Sequence, residues 1–398
     1  MPLPDPVFLL VPHRHFTGSN SGSVFSQLPT NGTGDFIFTR STIGSYVNSS
    51  GFITTSSIHE PRIKHFYTGS NDRSGFLIEP SATNFADNVE FLTNNDYALG
   101  GLTITTGSTD FLAPDGTSRS ITKYVGGTAS GSTQYAYYLA GNLITVTAPG
   151  VHTFSIFVKA GATNPLNFCM LDVSNFSGSS GTTNSYFSLA SGTALTAGAS
   201  IQNYGNGWYR LIAAPITIAP GDLTGNMAFA FAEGNNDINW PLSGALNLTA
   251  YTWGAQMETG PVATSYIPTT TTSVTRNADV LTDTSYTLPT PSGSIYTEFN
   301  ALSEYSCFVN LAGPVPITTG SNRIAITYTN SNISVYKNGA FVVSQSAPNT
   351  IGGNIINLGH SSGSFQLNDT LRGFAIYNTP LSAPDAILLT SGSNRRYL

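Results

Sequence analysis

Residues 251–268 read YTWGAQMETGPVATSYIP. Tyr251, Trp253, Ala255 and Met257 alternate with Thr252, Gly254, Gln256 and Glu258. That is the period of two that sends successive side chains to opposite faces of a β-strand. On this period the first set faces a core, and Gln256 and Glu258 face outward as surface or interface groups. Pro261 and Pro268 stop the ladder, because proline has no amide to donate. Thr269–Thr272 comes next as a stiff, polar linker. The stretch reads as the closing strand of one module and the hinge to a second.

Upstream, residues 86–268 carry a long series of strand signals. In His152–Lys159 (HTFSIFVK), Phe154, Ile156 and Val158 share a face. In Gly207–Ala213 (GWYRLIA), Trp208, Arg210 and Ile212 oppose Tyr209 and Leu211. Met227–Ala232 (MAFAFA) sets Met227, Phe229 and Phe231 against three alanines, which suits a second layer against the alanine face. Strands separated by Gly, Asn and Ser turns, with no ten-residue helical pattern, predict a two-sheet antiparallel sandwich.

Downstream, Ile295–Phe299, Arg323–Tyr328, Ile333–Tyr336 and Ala340–Ser344 form a second series. Lys337-Asn338-Gly339 between the last two is a hairpin signal, since Asn-Gly supplies the positive φ angles of a type I′ turn. Leu371–Tyr377 is a further strand. One short helix is expected after it at Leu381–Leu389, with Ser382 as N-cap and Asp385 three residues on.

Residues 1–35 are rich in Pro, Gly and Ser, hold no sustained period, and read as an irregular arm ordered only against a partner. His13 and His15, one residue apart, would face the same way on an extended chain and could meet a metal on a three-fold axis. Two solvated or packing histidines are the plainer account. Residues 36–85 hold short strands around Phe36–Thr39, Ser45–Val47, Phe52–Thr54 and Phe76–Ile78, too little for a core of their own, so they read as a clasp on a neighbour. The expected fold is all-β: two tandem antiparallel β-sandwiches behind an irregular arm. The expected divisions are an arm at 1–35, a clasp at 36–85, a first sandwich at 86–268, a linker at 269–280 and a second sandwich at 281–398.

Charged residues make up only 9% of the 398-residue chain, against roughly 25% in ordinary globular proteins. Hydrophobic residues hold at 40% and aromatics at 11%, enough to build cores. The net charge of −6 and the lack of a basic stripe argue against nucleic acid as a partner. No apolar run approaches the roughly 20 residues of a membrane span. A basic n-region followed by an apolar core is also missing at the N-terminus, so the expectation is synthesis in a cytoplasm without a cleaved export signal. Cys169 and Cys307 read as two unpaired thiols packed as small hydrophobes.

Several segments together resemble a recurrent set in tailed-bacteriophage virion proteins. They are FTRSTIGSYVNSSGFI (38–53), PRIKHF (61–66), GFLIEPSATN (75–84), HTFSIFVKAG (152–161), GNGWYRL (205–211) and YTWGAQMETGPVATSYIPT (251–269). Those proteins join a clasp to a jelly roll similar to carbohydrate-binding modules. The later ISVYKNGAFVV (333–343) and LRGFAIYNTPLSAPDAILLTS (371–391) are similar to the laminin-G/concanavalin-like fold often appended to them. The resemblance implies a structural protein exposed on the phage particle, a tail fibre or receptor-binding protein, usually trimeric. Its N-terminal arm would contact other virion proteins, and no membrane insertion is implied. A capsid decoration or head-fibre protein is the alternative within that class.

The sequence carries no G-x-S-x-G elbow, no H-E-x-x-H and no P-loop, and its acidic residues form no local pair, so the expected role is not enzymatic. A glycan-depolymerising tailspike is the enzymatic alternative, because two carboxylates distant in sequence can meet in a fold. Binding a host-surface glycan asks less: an aromatic platform beside amides and hydroxyls. Tyr135 and Tyr137 in QYAYYLAG share a face, and Trp240 lies in the polar GNNDINWPLSG loop. These three are the candidate ligand-binding residues, with core or subunit packing as the competing account. Trp208 reads as sheet packing. Asp87 and Glu90 could lend oxygens to calcium, but EF-hand spacing is missing, and neither a metal nor a cofactor is expected.

Overall fold

The computed structural model describes residues 3–11, 23–24, 35–65, 74–86, 97–100, 102–118, 121–126, 135–138, 144–176, 180–236, 247–301, 318–346, 356–359 and 367–392. The fold is all-β, with antiparallel sheets packed as sandwiches and, among the described residues, one nine-residue helix, Ala383–Ser391. The chain divides into two compact units. One unit comprises Met1–Ser49, Thr55–Ser81 and Asn277–Leu398, and the other comprises Ser50–Thr54 and Ala82–Arg276. The division is not sequential: the second unit is inserted in the first.

The first unit is built from both halves of the sequence. The order of its eight-stranded sheet places Ile63–Lys64 and Gly75–Ile78 beside Asp369–Tyr377, followed by Gly293–Ala301, Gly320–Tyr328, Asn332–Lys337 and Ala340–Ser346. A four-stranded sheet containing Phe36–Thr39 and Val280–Asp283 covers one face. Phe36, Phe38 and Leu281 pack there with Ile295, Ile324 and Phe374 in one core. The other face carries Tyr296, Ala325 and Tyr377, and helix residues Ala386 and Leu389 close over them. Hence the central strands are apolar on both sides. Ser382 caps the helix and accepts from the Asp385 amide at 3.3 Å, and Gly392 ends it at φ 75°, the left-handed position that glycine adopts without cost. Asn338 and Gly339 take φ 49° and 86°, as the type I′ hairpin requires.

This arrangement corrects the reading of the N-terminal arm. Phe8–Leu10 is a strand in the large sheet, antiparallel to Asp369–Tyr377, with Phe8 opposite Ile376 and Leu10 opposite Phe374. Phe8 and Leu10 enter one core, while Leu3, Leu9 and Val11 enter the other. Each such side chain stabilises the fold by about 1.5–3 kcal/mol. Three residues are too few to display a period, so composition masked the strand. The segment read as a clasp likewise supplies strands to the unit that holds the C-terminal sandwich.

The second unit is a sandwich of two seven-stranded antiparallel sheets. One has the order 102–105, 122–126, 249–259, 150–160, 208–212 and 200–205, with 216–218 also paired to 150–160; the other runs 193–194, 183–188, 168–174, 224–232, 135–138 and 97–100, with 144–145 also paired to 224–232. The two sheets meet at Tyr124 and Phe229, whose ring centroids lie 5.3 Å apart. The phenylalanines of MAFAFA therefore face the other sheet. Ala230 and Ala232 lie on the outer side with Met170 and Tyr186. The expected second layer against the alanine face is thus reversed. At the unit's two ends, Ala82–Asn84 pairs antiparallel with Val274–Arg276, so part of the segment read as a linker is a strand.

The 249–259 strand breaks its own alternation. Met257 pairs with Phe154 and Gln256 with Ser155, yet Trp253 pairs with Phe157, so one extra residue is spent in the 249–259 strand. Gly254, at φ 61°, sits in this bulge. A one-residue slip turns the downstream side chains to the opposite face. Tyr251 and Trp253 therefore share a face with Gln256 and Glu258, while Met257 shares the other with Phe154. Glu258 lies on the sheet's outer face, as its period implies, but is not a surface group: its exposure is 0%.

Candidate functional site

Three polar groupings stand out in the described residues. In the first unit, Arg40, Arg62, Glu79 and Asp279 converge. Arg40 Nη1 lies 3.1 Å from Asp279 Oδ1, Arg62 Nη2 contacts Asp279 Oδ2, and Arg62 Nη1 lies 2.9 Å from Glu79 Oε2. Arg40 Nη2 donates to Ser56 Oγ at 2.7 Å and to the Ser57 carbonyl at 2.8 Å, and the Glu79 amide donates to Asp279 at 2.9 Å. Burial alone would lower the Arg62 pKa, and the two carboxylates more than offset this and raise it. These side chains are at most 3% exposed, so the cluster is closed to solutes and staples the fold. Glu79 and Asp279 are therefore not a glycosidase pair. Arg40, Arg62 and Glu79 come from the FTR, PRIKHF and LIEP portions of the segments quoted above. Asp279, which joins them, lies beyond the quoted segments and gave no local signal.

In the second unit, the 260–269 segment and residues near Phe111 close the outer face of the first sheet. Glu258 accepts from the Thr264 amide at 2.9 Å, the Thr264 hydroxyl at 2.7 Å and Gln256 Nε2 at 2.7 Å. Burial raises its pKa, and Arg210 and these donors oppose the rise. Arg210 donates to the Thr264 carbonyl at 2.6 Å and to Ser155 Oγ at 2.9 Å, with its guanidinium 5.4 Å above the Phe157 ring. Trp253 packs against Phe157 and Tyr266, at centroid distances of 5.3 and 4.6 Å. Trp208 is 2% exposed and donates its indole N–H to the Leu112 carbonyl at 2.9 Å, consistent with sheet packing. Asn84 secures the segment: it donates to the Ile267 carbonyl at 2.9 Å and accepts from the Met257 amide at 3.1 Å. This face is filled.

The outer face of the second sheet combines different chemistry. Met170, Asp172 and Ser174 lie on one side of the 168–174 strand. In register with them are Tyr186 and Asn184 on one neighbour, and Ala230, Ala228 and Asn226 on the other. Met170, Tyr186 and Ala230 form an apolar cluster. Beside it, the Ser174 hydroxyl donates to Asp172 Oδ2 at 2.5 Å. Burial pushes the Asp172 carboxyl above the usual carboxylate range, and the Ser174 bond pulls it back. Asn184 is exposed at the rim. Met170, Asp172, Ser174 and Tyr186 are themselves only 5–8% exposed, so a molecule with hydroxyls along one edge and C–H groups on its face would meet this carboxylate, hydroxyl, thioether and phenol ring from the rim at Asn184.

Tyr135 and Tyr137 lie on the strand Tyr135–Tyr138 of this same sheet. Their backbones are opposite Ala230 and Ala228, the register partners of Met170 and Asp172. Trp240, His13, His15, Asp87, Glu90 and Cys307 lie outside the described residues. Sequence reasoning missed Asp172 and Tyr186; LDVSNF and SYFSLA show ordinary strand alternation, and only the sheet order places the carboxylate beside the ring. Cys169 is a free, buried thiol. Among the described residues, no three His, Cys, Asp or Glu side chains gather as a metal site, and no helix is long and apolar enough to cross a membrane. No family model matches the chain, and no curated protein matches it.

Proposed function

We propose that the protein is a structural protein of a phage particle, a tail fibre or receptor-binding protein that adheres to host-surface glycans without cleaving them. The observation that carries this reading is the outer face of the second sheet, where Asp172 and Ser174 adjoin Met170 and Tyr186 in the sheet that also holds the Tyr135–Tyr138 strand. Support for the phage assignment comes from the resemblance: three charged residues of its segments, Arg40, Arg62 and Glu79, are those that staple the first unit. Each sugar contact is weak, and a homotrimer would add three of them through effective concentration.

The test is a glycan array probed with purified protein and with Asp172→Asn. Loss of a charge-assisted acceptor worth about 1.5–3 kcal/mol should weaken binding at least tenfold while the melting temperature holds. No binding at any glycan density would sink the adhesin reading and favour a decoration role. Progressive shortening of host polysaccharide on incubation would instead favour a depolymerase.

A further inference from the structure

The N-terminal strand is attached to its sheet in an unusual way. Among the described strands, Phe8–Leu10 has one neighbour, Asp369–Tyr377, which it meets over three register pairs. One further backbone bond, from the Val7 amide to the Ile376 carbonyl at 2.9 Å, extends this ladder. Against so few backbone bonds stands a large apolar anchor. Leu3, Phe8, Leu9, Leu10 and Val11 are each at most 8% exposed and divide between two cores. Phe8 alone meets Phe36, Tyr286 and Phe374 edge-on, at centroid distances between 4.8 and 5.9 Å. Vacating the seat would open both cores, so something must always fill it.

Between this strand and the next, Ser23–Val24, lie residues 12–22, PHRHFTGSNSG. Only Phe16 among them is a large apolar residue, and the run is short on anything that would bury it. Fully extended, these eleven residues span at most roughly 36–40 Å at 3.3–3.6 Å per residue. Identical copies offer identical seats, and exchanging an element between them forms every native contact without making a new interface.

We propose that residues 3–11 are an exchangeable strand, and that copies of this chain assemble by each seating its Phe8–Leu10 strand against the Asp369–Tyr377 strand of another. The occupant of the seat is then a second copy's N-terminus, matched by the same register and the same apolar alternation. This proposal is independent of any glycan-binding role.

Leu9 and Ala375 are register partners, which allows the exchange to be read covalently. Full-length Leu9→Cys and full-length Ala375→Cys are co-refolded, oxidised and run on a non-reducing gel. Each variant alone and the unsubstituted chain, with its own two cysteines, serve as controls. The proposal expects a two-chain species several-fold more abundant in the mixture than in any control, with peptide mapping placing the bond between the two introduced thiols. The doubly substituted chain tests the seat itself. Closure of this bond within one chain, with no mixed species, would overturn the exchange. Absence of the bond in both experiments would overturn the seat as well.

Discussion

Arg40 and Asp279 stand 239 positions apart and meet at 3.1 Å with both side chains shut off from solvent. One carboxylate thereby serves two guanidiniums, since Arg62 takes its second oxygen. The contact joins the beginning of the chain to a segment that comes after the whole inserted sandwich.

Removing that carboxylate should be severe. Asp279→Ala leaves two buried guanidiniums with Glu79 as the remaining carboxylate in the cluster, a change that typically costs about 3–5 kcal/mol. Urea unfolding followed by tryptophan fluorescence and circular dichroism should show one early transition in the first unit. Trp208 and Trp253 lie in the second unit, so their signal should move least.

Gly254 is needed for its backbone angle and for its missing side chain. At φ 61° a β-carbon is strained, and it would lie 3.0 Å from Tyr266 Cε2 and 3.2 Å from Phe157 Cδ2. Gly254→Ala should destabilise the inserted sandwich by about 1–3 kcal/mol, read as a fall in Tm, whereas alanine at Gly234, with open space around its Cβ, should change little.

His152 makes the second unit sensitive to acid. Its Nδ1 lies 3.0 Å from the Gly150 carbonyl and so donates, leaving Nε2 to accept from the Thr259 hydroxyl at 3.2 Å. Burial lowers its pKa, so the unfolded chain takes up the proton first. Stability is then full above the unfolded value of about 6.5 and is lost as pH falls toward the folded value. Denaturant midpoints measured between pH 7.5 and 5 should fall for the native chain and less for His152→Gln. Equal slopes would remove His152 from the account.

Cys169 should behave as an inert thiol. It is fully buried, which pushes its pKa far above the ordinary thiol range, and the thiolate is the reactive form. Iodoacetamide labelling followed by mass spectrometry should leave Cys169 unmodified in native protein and label it only at denaturant levels that open the second unit.

The sequence displayed its strands more openly than its connections. Phe36–Thr39, the Asn338-Gly339 hairpin and the Ser382 cap could be read because turn chemistry and period are local. Tyr251 and Trp253 were misplaced because the bulge at Gly254 adds one residue, and a glycine in an alternating run looks the same whether or not it bulges; Glu258 was read as a surface group because the 260–269 segment that covers it gives no local signal. Phe8–Leu10 went unread because three residues cannot show a period. The clasp was expected beside the inserted sandwich because that is its neighbour in sequence, while its ionic partner Asp279 lies some two hundred residues on. Asp172 and Tyr186 became a candidate pair only when the sheet order brought strands 168–174 and 183–188 together.

The insertion has a consequence for how the chain is made. Residues 1–81 leave the ribosome with their apolar strands exposed, and their partners Leu281, Ile295 and Phe374 do not yet exist. Translation of residues 82–276 takes about 10–40 s at roughly 5–20 residues per second. The middle sandwich holds its own sheets and can close in that interval, between Ala82–Asn84 and Val274–Arg276. The segment made first is therefore finished last, and a nascent chain interrupted before residue 293 carries bare strand edges that only a chaperone or another chain can cover.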